Sequence, residues 1–209
     1  MNILIFGATG KTGLELVNQA LAQGHRVTAF ARTPAKLKIA NDALTIIQGD
    51  IIDYPVVENS VKEHDVVLST LGAASPFRYD QSVVDGLGNI VKAMEQTMVN
   101  RLIYMSAINV KESRKNAGLL IKFLAPILLR TETAGHEARE KIIRQSPLVW
   151  TIVRAAGLTS GVHKGEYRSG EDVKAKGIAS NISRADVADF MLQQLTNTNY
   201  IRKTPLVMY

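Results

Sequence analysis

Along most of the chain, short apolar runs alternate with longer stretches in which apolar residues recur every three or four positions. The first pattern predicts strands buried on both faces of a sheet, the second amphipathic helices. Strands are predicted at 3–6, 25–30, 44–48, 65–69, 101–105, 149–154 and 204–208. The first helix carries Leu14, Leu16, Val17, Ala20 and Leu21 at helical spacing and ends at Gly24. Others are predicted over 56–62, 81–96, 131–145 and 182–195. Ser183 N-caps the last of these, with Asp186 in the position of a capping box. Strands alternating with helices build a parallel sheet. The predicted class is therefore α/β: a Rossmann-like, doubly wound parallel sheet flanked by helices, in a single domain. Residues 160–181 break the pattern with glycine and charge, and predict a loop with short strands. The part from about 155 to 209 reads as a small substrate-side region. Residues 111–129 follow neither pattern and contain an apolar run, 118–129, which is broken by Lys122 and Pro126 and too short to span a bilayer. They fit a buried or pocket-covering helix as well as a pocket wall or a subunit contact.

The 209 residues suffice for one domain with a sizeable core, with no internal repeat or linker. The lack of cysteine excludes disulfides, thiol catalysis and thiolate metal sites. His136-Glu137-Ala138-Arg139-Glu140 lacks the second histidine of H-E-x-x-H. No metal is expected, and His136 reads as a surface or pocket-rim residue. The formal charge of +6 is dispersed, with no Lys/Arg run and no interleaved aromatics. It predicts a field that attracts an anionic cofactor or substrate, and no nucleic-acid partner. No basic leader precedes the first strand, and cytoplasm is the expected compartment.

Candidate chemistry concentrates at the start. Glycines 7, 10 and 13 follow the first strand, and a helix begins directly after them. Strand, glycine turn and helix form a dinucleotide cradle. Gly7 permits the turn, Gly10 lets the backbone approach a pyrophosphate, and Gly13 lets helix and strand pack closely. Free N–H groups and the dipole at the helix start favour the anion. The spacing is G-x-x-G-x-x-G rather than G-x-G-x-x-G, and its place after an N-terminal strand makes it specific. Gly10-Lys11-Thr12 imitates the end of a P-loop, but that motif needs a glycine where Ile5 stands inside the strand. Arg32 ends the second strand, where NAD-specific folds carry an acidic residue. A cation there suits the 2′-phosphate of NADP; a solvated basic turn is the alternative.

The stretch Gly7-Ala8-Thr9-Gly10-Lys11-Thr12-Gly13 resembles the nucleotide motif of the atypical short-chain dehydrogenase/reductases. Val27–Arg32, Gly49-Asp50-Ile51, Ser69-Thr70-Leu71-Gly72, Met105-Ser106-Ala107 and Ile182–Ala188 extend the likeness along the chain. Together they make it similar to the NAD(P)H-binding flavin reductase/biliverdin reductase B-like group. The resemblance implies cofactor contacts from Gly7, Thr9, Gly10, Lys11, Thr12 and Gly13, with Arg32 and Lys36 on the 2′-phosphate. Lys36 stands where the group often has arginine, so its contact would be a point charge rather than a fork. Asp50, followed by Ile51, would lie beside the adenine; a turn aspartate capping the next helix is the alternative. Leu71, Gly72 and Ala73 would pass under the ribose and pyrophosphate.

None of the tyrosines at 54, 79, 104, 167, 200 and 209 has lysine four residues on. The Tyr/Lys relay of the usual short-chain dehydrogenases is missing, which argues against alcohol oxidation by that route. Hydride transfer from NADPH to a flavin or a similar planar, quinone-like acceptor asks less of the protein. It needs stacking geometry and water exclusion, and solvent can supply the proton. Ser106 is the candidate catalytic residue, placed either to hydrogen-bond the carboxamide or acceptor, or to cap backbone. The group's Pro-Pro-His stretch after the sixth strand is here Ala155-Ala156-Gly157, so the pocket lacks that imidazole. The resemblance implies an NADPH-dependent reductase, with a homodimer left open. The other reading is a non-catalytic NADP-binding redox sensor of the NmrA-like kind. A sugar-nucleotide epimerase is disfavoured by the missing Tyr/Lys pair.

Overall fold

The structure, a computed structural model, describes residues 1–73, 79–110, 112–119, 129–178 and 180–209. The expectation for 111–129 falls largely on residues outside that set, as does most of the loop before residue 81.

Strand β1 (Asn2–Phe6) lies near the middle of the sheet. Ile3 and Ile5 point into one hydrophobic cluster, Leu4 and Phe6 into the other, and all four are fully buried. This is the period of two expected of a strand covered on both faces. Around it stand β2 (Arg26–Ala31), β3 (Leu44–Gln48), β4 (Val66–Ser69), β5 (Arg101–Ala107) and β6 (Val149–Ala155). With β8 (Arg168–Gly170) and β10 (Leu206–Met208) the sheet has the order β3-β2-β1-β4-β5-β6-β10-β8. The strands from β3 to β10 are parallel, and β8 at the edge is antiparallel. A separate two-stranded sheet pairs β7 (Gly157–Thr159) with β9 (Asn181–Ser183).

Helices α1 (Lys11–Ala22) and α5 (Arg184–Gln193) pack together, with Leu16, Val17, Val187 and Phe190 in the same cluster as Ile3 and Ile5. Helices α2 (Tyr54–Val61), α3 (Gln81–Thr97) and α4 (Arg130–Gln145) cover the other face, where Val57, Leu87, Ile90 and Ile143 meet Leu4, Leu102 and Ile152. The fold is the doubly wound α/β domain expected.

Its departures from expectation are local. Helix α5 starts at Arg184, not 182, because Ile182 and Ser183 are held in β9. Ser183 is still the cap: its Oγ accepts from the Asp186 amide at 3.0 Å and donates to Asp186 Oδ2 at 2.8 Å. Strand β5 runs two residues further than predicted, because pairing with β6 continues to Ala107 and Ala155. Ser106 therefore lies inside a strand.

The turn from β1 into α1 leaves no room for side chains. Gly7 has φ of +81°, and a Cβ there would stand 2.8 Å from Thr70 Oγ1. A Cβ on Gly13 would stand 2.1 Å from the Gly7 carbonyl oxygen. Gly10 differs: its φ is −73°, and its Cβ would meet the same oxygen at 3.2 Å. Gly13→Ala should therefore cost about 3 kcal/mol or more of stability, at the upper end of overpacking penalties. Gly10→Ala should keep most of the stability and weaken nucleotide binding instead. Urea unfolding of both variants, with nucleotide titration of the folded ones, checks the pair.

Candidate functional site

The C-terminal ends of the parallel strands open onto one continuous cleft, where ligands bind in open α/β sheets. Three cavities compose it. The first, about 240 Å³, is lined by Gly7, Thr9, Gly10, Arg32, Asp50, Ile51, Leu71 and Gly72, among others. The second, about 420 Å³, is lined by Gly10, Lys11, Thr12, Gly13, Thr70, Ala73 and Arg184. The third, about 410 Å³, joins Gly72 and Ala73 to Ser106, Glu132, His136, Ala155–Leu158 and Arg184. Gly10 and Thr70 belong to the first two cavities, Ala73 and Arg184 to the last two.

At the first end, Arg32 follows β2 directly and is exposed at the cleft wall. Across from it, Asp80 is held below its ordinary pKa, first by the Ser82 hydroxyl and, more weakly, by the Arg32 charge. The Ser82 hydroxyl donates to Asp80 at 2.6 Å. Asp50 closes an Asx turn, its Oδ1 accepting from the Ile52 amide at 3.2 Å. The cap of α2 is Asp53, whose carboxylate accepts from Val56. Lys36 ends an exposed 3₁₀ turn, Pro34–Lys36, and does not line the cleft. Every other predicted cofactor residue lines one of the three cavities.

In the middle, Gly10 is the N-cap of α1 and offers no side-chain cap. Its first-turn N–H groups are thus available to an anion, with the dipole behind them. Thr70 ties the end of β4 to the turn, its Oγ1 donating to the Gly7 carbonyl at 3.2 Å. Buried Arg139 of α4 holds the next residue, donating to the Leu71 carbonyl at 3.0 Å. Glycine cradle, uncapped helix start and cation at the far end fit a nicotinamide dinucleotide laid along the cleft.

At the third cavity, strand register does the positioning. Ser106 and Arg154 are partners across β5 and β6, and both face α4. From α4, Glu140 reaches between them. It accepts from Arg154 Nε at 3.1 Å and Nη2 at 2.6 Å, a bidentate and almost fully buried pair. It also accepts from the Ser106 hydroxyl at 2.7 Å. Arg154 reaches on to Glu112 at 2.9 Å, and Glu112 pairs with Arg144. His136, one turn before Glu140, lies 3.3 Å from Ser106 Oγ through Nδ1. Ser106 gives its one proton to Glu140, so Nδ1 of His136 carries the proton of the second bond. The hydroxyl can then accept from a ligand but not donate to it. His136 is buried, not a surface residue, and burial lowers its pKa to about 3, with Arg139 adding to the effect. A hollow of about 380 Å³ behind this network, lined by Glu112, Glu140, Arg144 and Arg154, shares no residue with the cleft.

No tyrosine lines the Ser106 cavity among the described residues. Tyr104, two residues before Ser106, is fully buried in the core, which pushes its phenol up to about 12. Sequence reasoning missed Glu132, Glu140, Arg154 and Arg184. Arg154 carried the usable signal: a charge inside a doubly covered strand requires a buried carboxylate. Among the described residues no acidic, histidine or cysteine group could hold a metal, and no helix is long and apolar enough to cross a membrane.

Such a cleft on such a sheet defines a dinucleotide-binding α/β domain. The chain belongs to the NAD(P)H-binding family, whose model matches residues 7–198. Photosystem II assembly factor Ycf39 of Synechocystis sp. is 24% identical over 217 residues, covering 98% of this chain and 61% of Ycf39. This chain therefore spans less than two thirds of that relative. A short-chain dehydrogenase/reductase of Veillonella parvula in complex with NADP superposes with a TM-score of 0.81 at 22% identity, over 99% of this chain and 93% of the other. ChuY, an anaerobillin reductase from Escherichia coli O157:H7, superposes with a TM-score of 0.79 at 21% identity, over 99% and 96%. These two likenesses show the fold.

Two outcomes test the network. Glu140→Gln leaves buried Arg154 short of a counter-charge and should cost about 3 kcal/mol, whereas Glu140→Leu with Arg154→Met should recover most of it. Denaturant unfolding of the singles and the double measures this. The second concerns pH. Native His136 protonates near pH 3, and the unfolded imidazole near 6.5. Between these values the unfolded chain binds the extra proton, so stability falls as pH falls. The contribution is complete above the unfolded pKa and fades at about 1.4 kcal/mol per pH unit below it. His136→Asn should make the stability slope between about pH 6 and pH 4 shallower by roughly that amount. An unchanged slope would show that the native imidazole titrates like the unfolded one.

Proposed function

We propose that the protein is an NADPH-dependent reductase that passes hydride to a flavin or a similar planar, conjugated acceptor. One observation carries the reading: the glycine cradle and the Ser106 cavity are parts of one cleft, joined through Ala73 and Arg184. In this reading the adenosine lies by Asp50 and Ile51, with Arg32 on the 2′-phosphate. Lys11 and Thr12 present the start of α1 to the pyrophosphate, over Leu71, Gly72 and Ala73. NADPH, when bound, supplies the hydride. Ser106 accepts from the carboxamide N–H₂, its own proton being committed to Glu140. Met105, Ile108, Ala155, Ala156 and Leu158 form a mostly apolar wall that excludes water around a flat acceptor. Residues from about 155 onward supply the acceptor side, and a small molecule is the partner.

A redox sensor without turnover is the second reading. It is favoured by Ycf39, whose name describes an assembly factor. NADPH oxidation with FMN, riboflavin and a quinone, with an NADH arm, separates the two. Turnover with NADPH supports the reductase, and binding without turnover on any acceptor supports the sensor. Arg32→Ala should weaken NADPH by roughly 10- to 100-fold, the worth of a charge-assisted contact, and leave NADH nearly unchanged. Equal losses for both nucleotides would remove Arg32 from the 2′-phosphate.

A further inference from the structure

Helix α4 presents Glu132, His136 and Glu140 at successive spacings of four residues, so they share one face. Glu140 is consumed by Ser106 and Arg154. Glu132 and His136 line the third cavity together with Ser106, Gly72 and Ala73. The pair has the i, i+4 spacing of the absent Tyr/Lys relay, but with different chemistry. His136 holds its proton on Nδ1 toward Ser106 and stays neutral, so it is no source of protons. That leaves Glu132 as the ionisable acid lining the cavity, among the described residues.

We infer that Glu132 is the proton donor of the acceptor site, and that the site takes a conjugated carbonyl, whose reduction is speeded by a proton placed beside the forming enolate. The inference rests on the reductase reading and narrows its acceptor. A reduced flavin is a weak base and takes its proton from water. Hydride addition to the β-carbon of an unsaturated ketone leaves an enolate, which is a strong base. The balance is then complete. NADPH gives up hydride and leaves as NADP⁺, the new C–H bond forms, and the Glu132 O–H breaks as its proton moves to the enolate. Solvent reprotonates the carboxylate.

The surroundings suit an acid. Burial raises the Glu132 pKa above its ordinary value of 4.5, against the lowering effect of Arg139 further along α4. The other groups around the cavity are neutral His136 on α4, the Ser106 hydroxyl on β5 and the cation Arg184 at the start of α5. Arg184 donates to Ser160 Oγ at 3.3 Å. Beyond β6 the wall is Ala155–Leu158, without charge.

The test compares wild type with Glu132→Gln on FMN and on an aromatic enone, across pH, with NADPH affinity measured separately. We expect unchanged NADPH affinity, about a 100-fold loss of kcat on the enone with a far smaller change on FMN, and loss of the basic limb of the enone pH profile. Glu132→Asp should restore part of the enone rate. Infrared difference spectra of the two nucleotide-free proteins should show a Glu132 carboxylic-acid band that persists above pH 4.5. Equal enone rates with the same pH profile would overturn the inference and leave the reductase standing. Parallel losses on both acceptors, or a Glu132 that is already ionised below pH 4.5, would also overturn it. Wild type that turns over no acceptor would remove the reductase, and this inference with it.

Discussion

The close approach of α1 to β1 sets the geometry of everything that follows. The Gly7 carbonyl sits where a Cβ of Gly13 would be, and the chain can reverse there only because that atom is missing. This contact brings the start of α1 up to the edge of the sheet. It also presses the turn against Thr70, so the ends of β1 and β4 are fastened at the same point. Shifting α1 outward by the width of a methyl group would move its free N–H groups away from the cleft and open the floor beneath it. Packing and ligand geometry are here one constraint.

A second constraint acts at the other end of the cleft, and it is electrostatic. Arg154 sits in a strand covered on both faces, where an unpaired charge would be prohibitive. Glu140 answers it from α4, and in doing so fixes the Ser106 hydroxyl and sets the tautomer of His136. Arg139, from the same helix, holds the strap at Leu71. One helix thus orients the polar atoms of the third cavity and the segment that joins it to the first. The result is a rigid polar floor beneath an apolar wall, with Ser106 turned into an acceptor by its neighbours.

How much of this was legible follows from how local each signal is. The first strand, its glycines and α1 are contiguous, and their pattern, geometry and chemistry agree within a score of residues. The alternation of apolar periods likewise carried the parallel sheet. Short strands gave an uneven signal: the three residues of β10 stand in an apolar run and were found, whereas β8 was seen only as broken pattern, β7 was not predicted, and Ile182 and Ser183 of β9 were assigned to a helix. Ser106 was found at a strand end, but its partners lie thirty or more residues away on α4. Spacing within α4 could not show that His136 faces inward. The charge of Arg154 inside an apolar strand was the one clue that α4 must carry a buried acid, and it points to Glu140 only once strand register is known.

The cleft is also divided along the chain. Every residue around the first cavity lies between Gly7 and Val83, whereas the third needs residues from Leu71 to Arg184. Strands β1 to β4 form one contiguous half of the sheet, and β5, β6, β10 and β8 are added to its other side. A chain that leaves the ribosome at roughly 5–20 residues per second therefore exposes the material for the adenosine end several seconds before that for the acceptor end. During synthesis, a cell's nucleotide pool can meet the first half of this cleft while the second half is still being made.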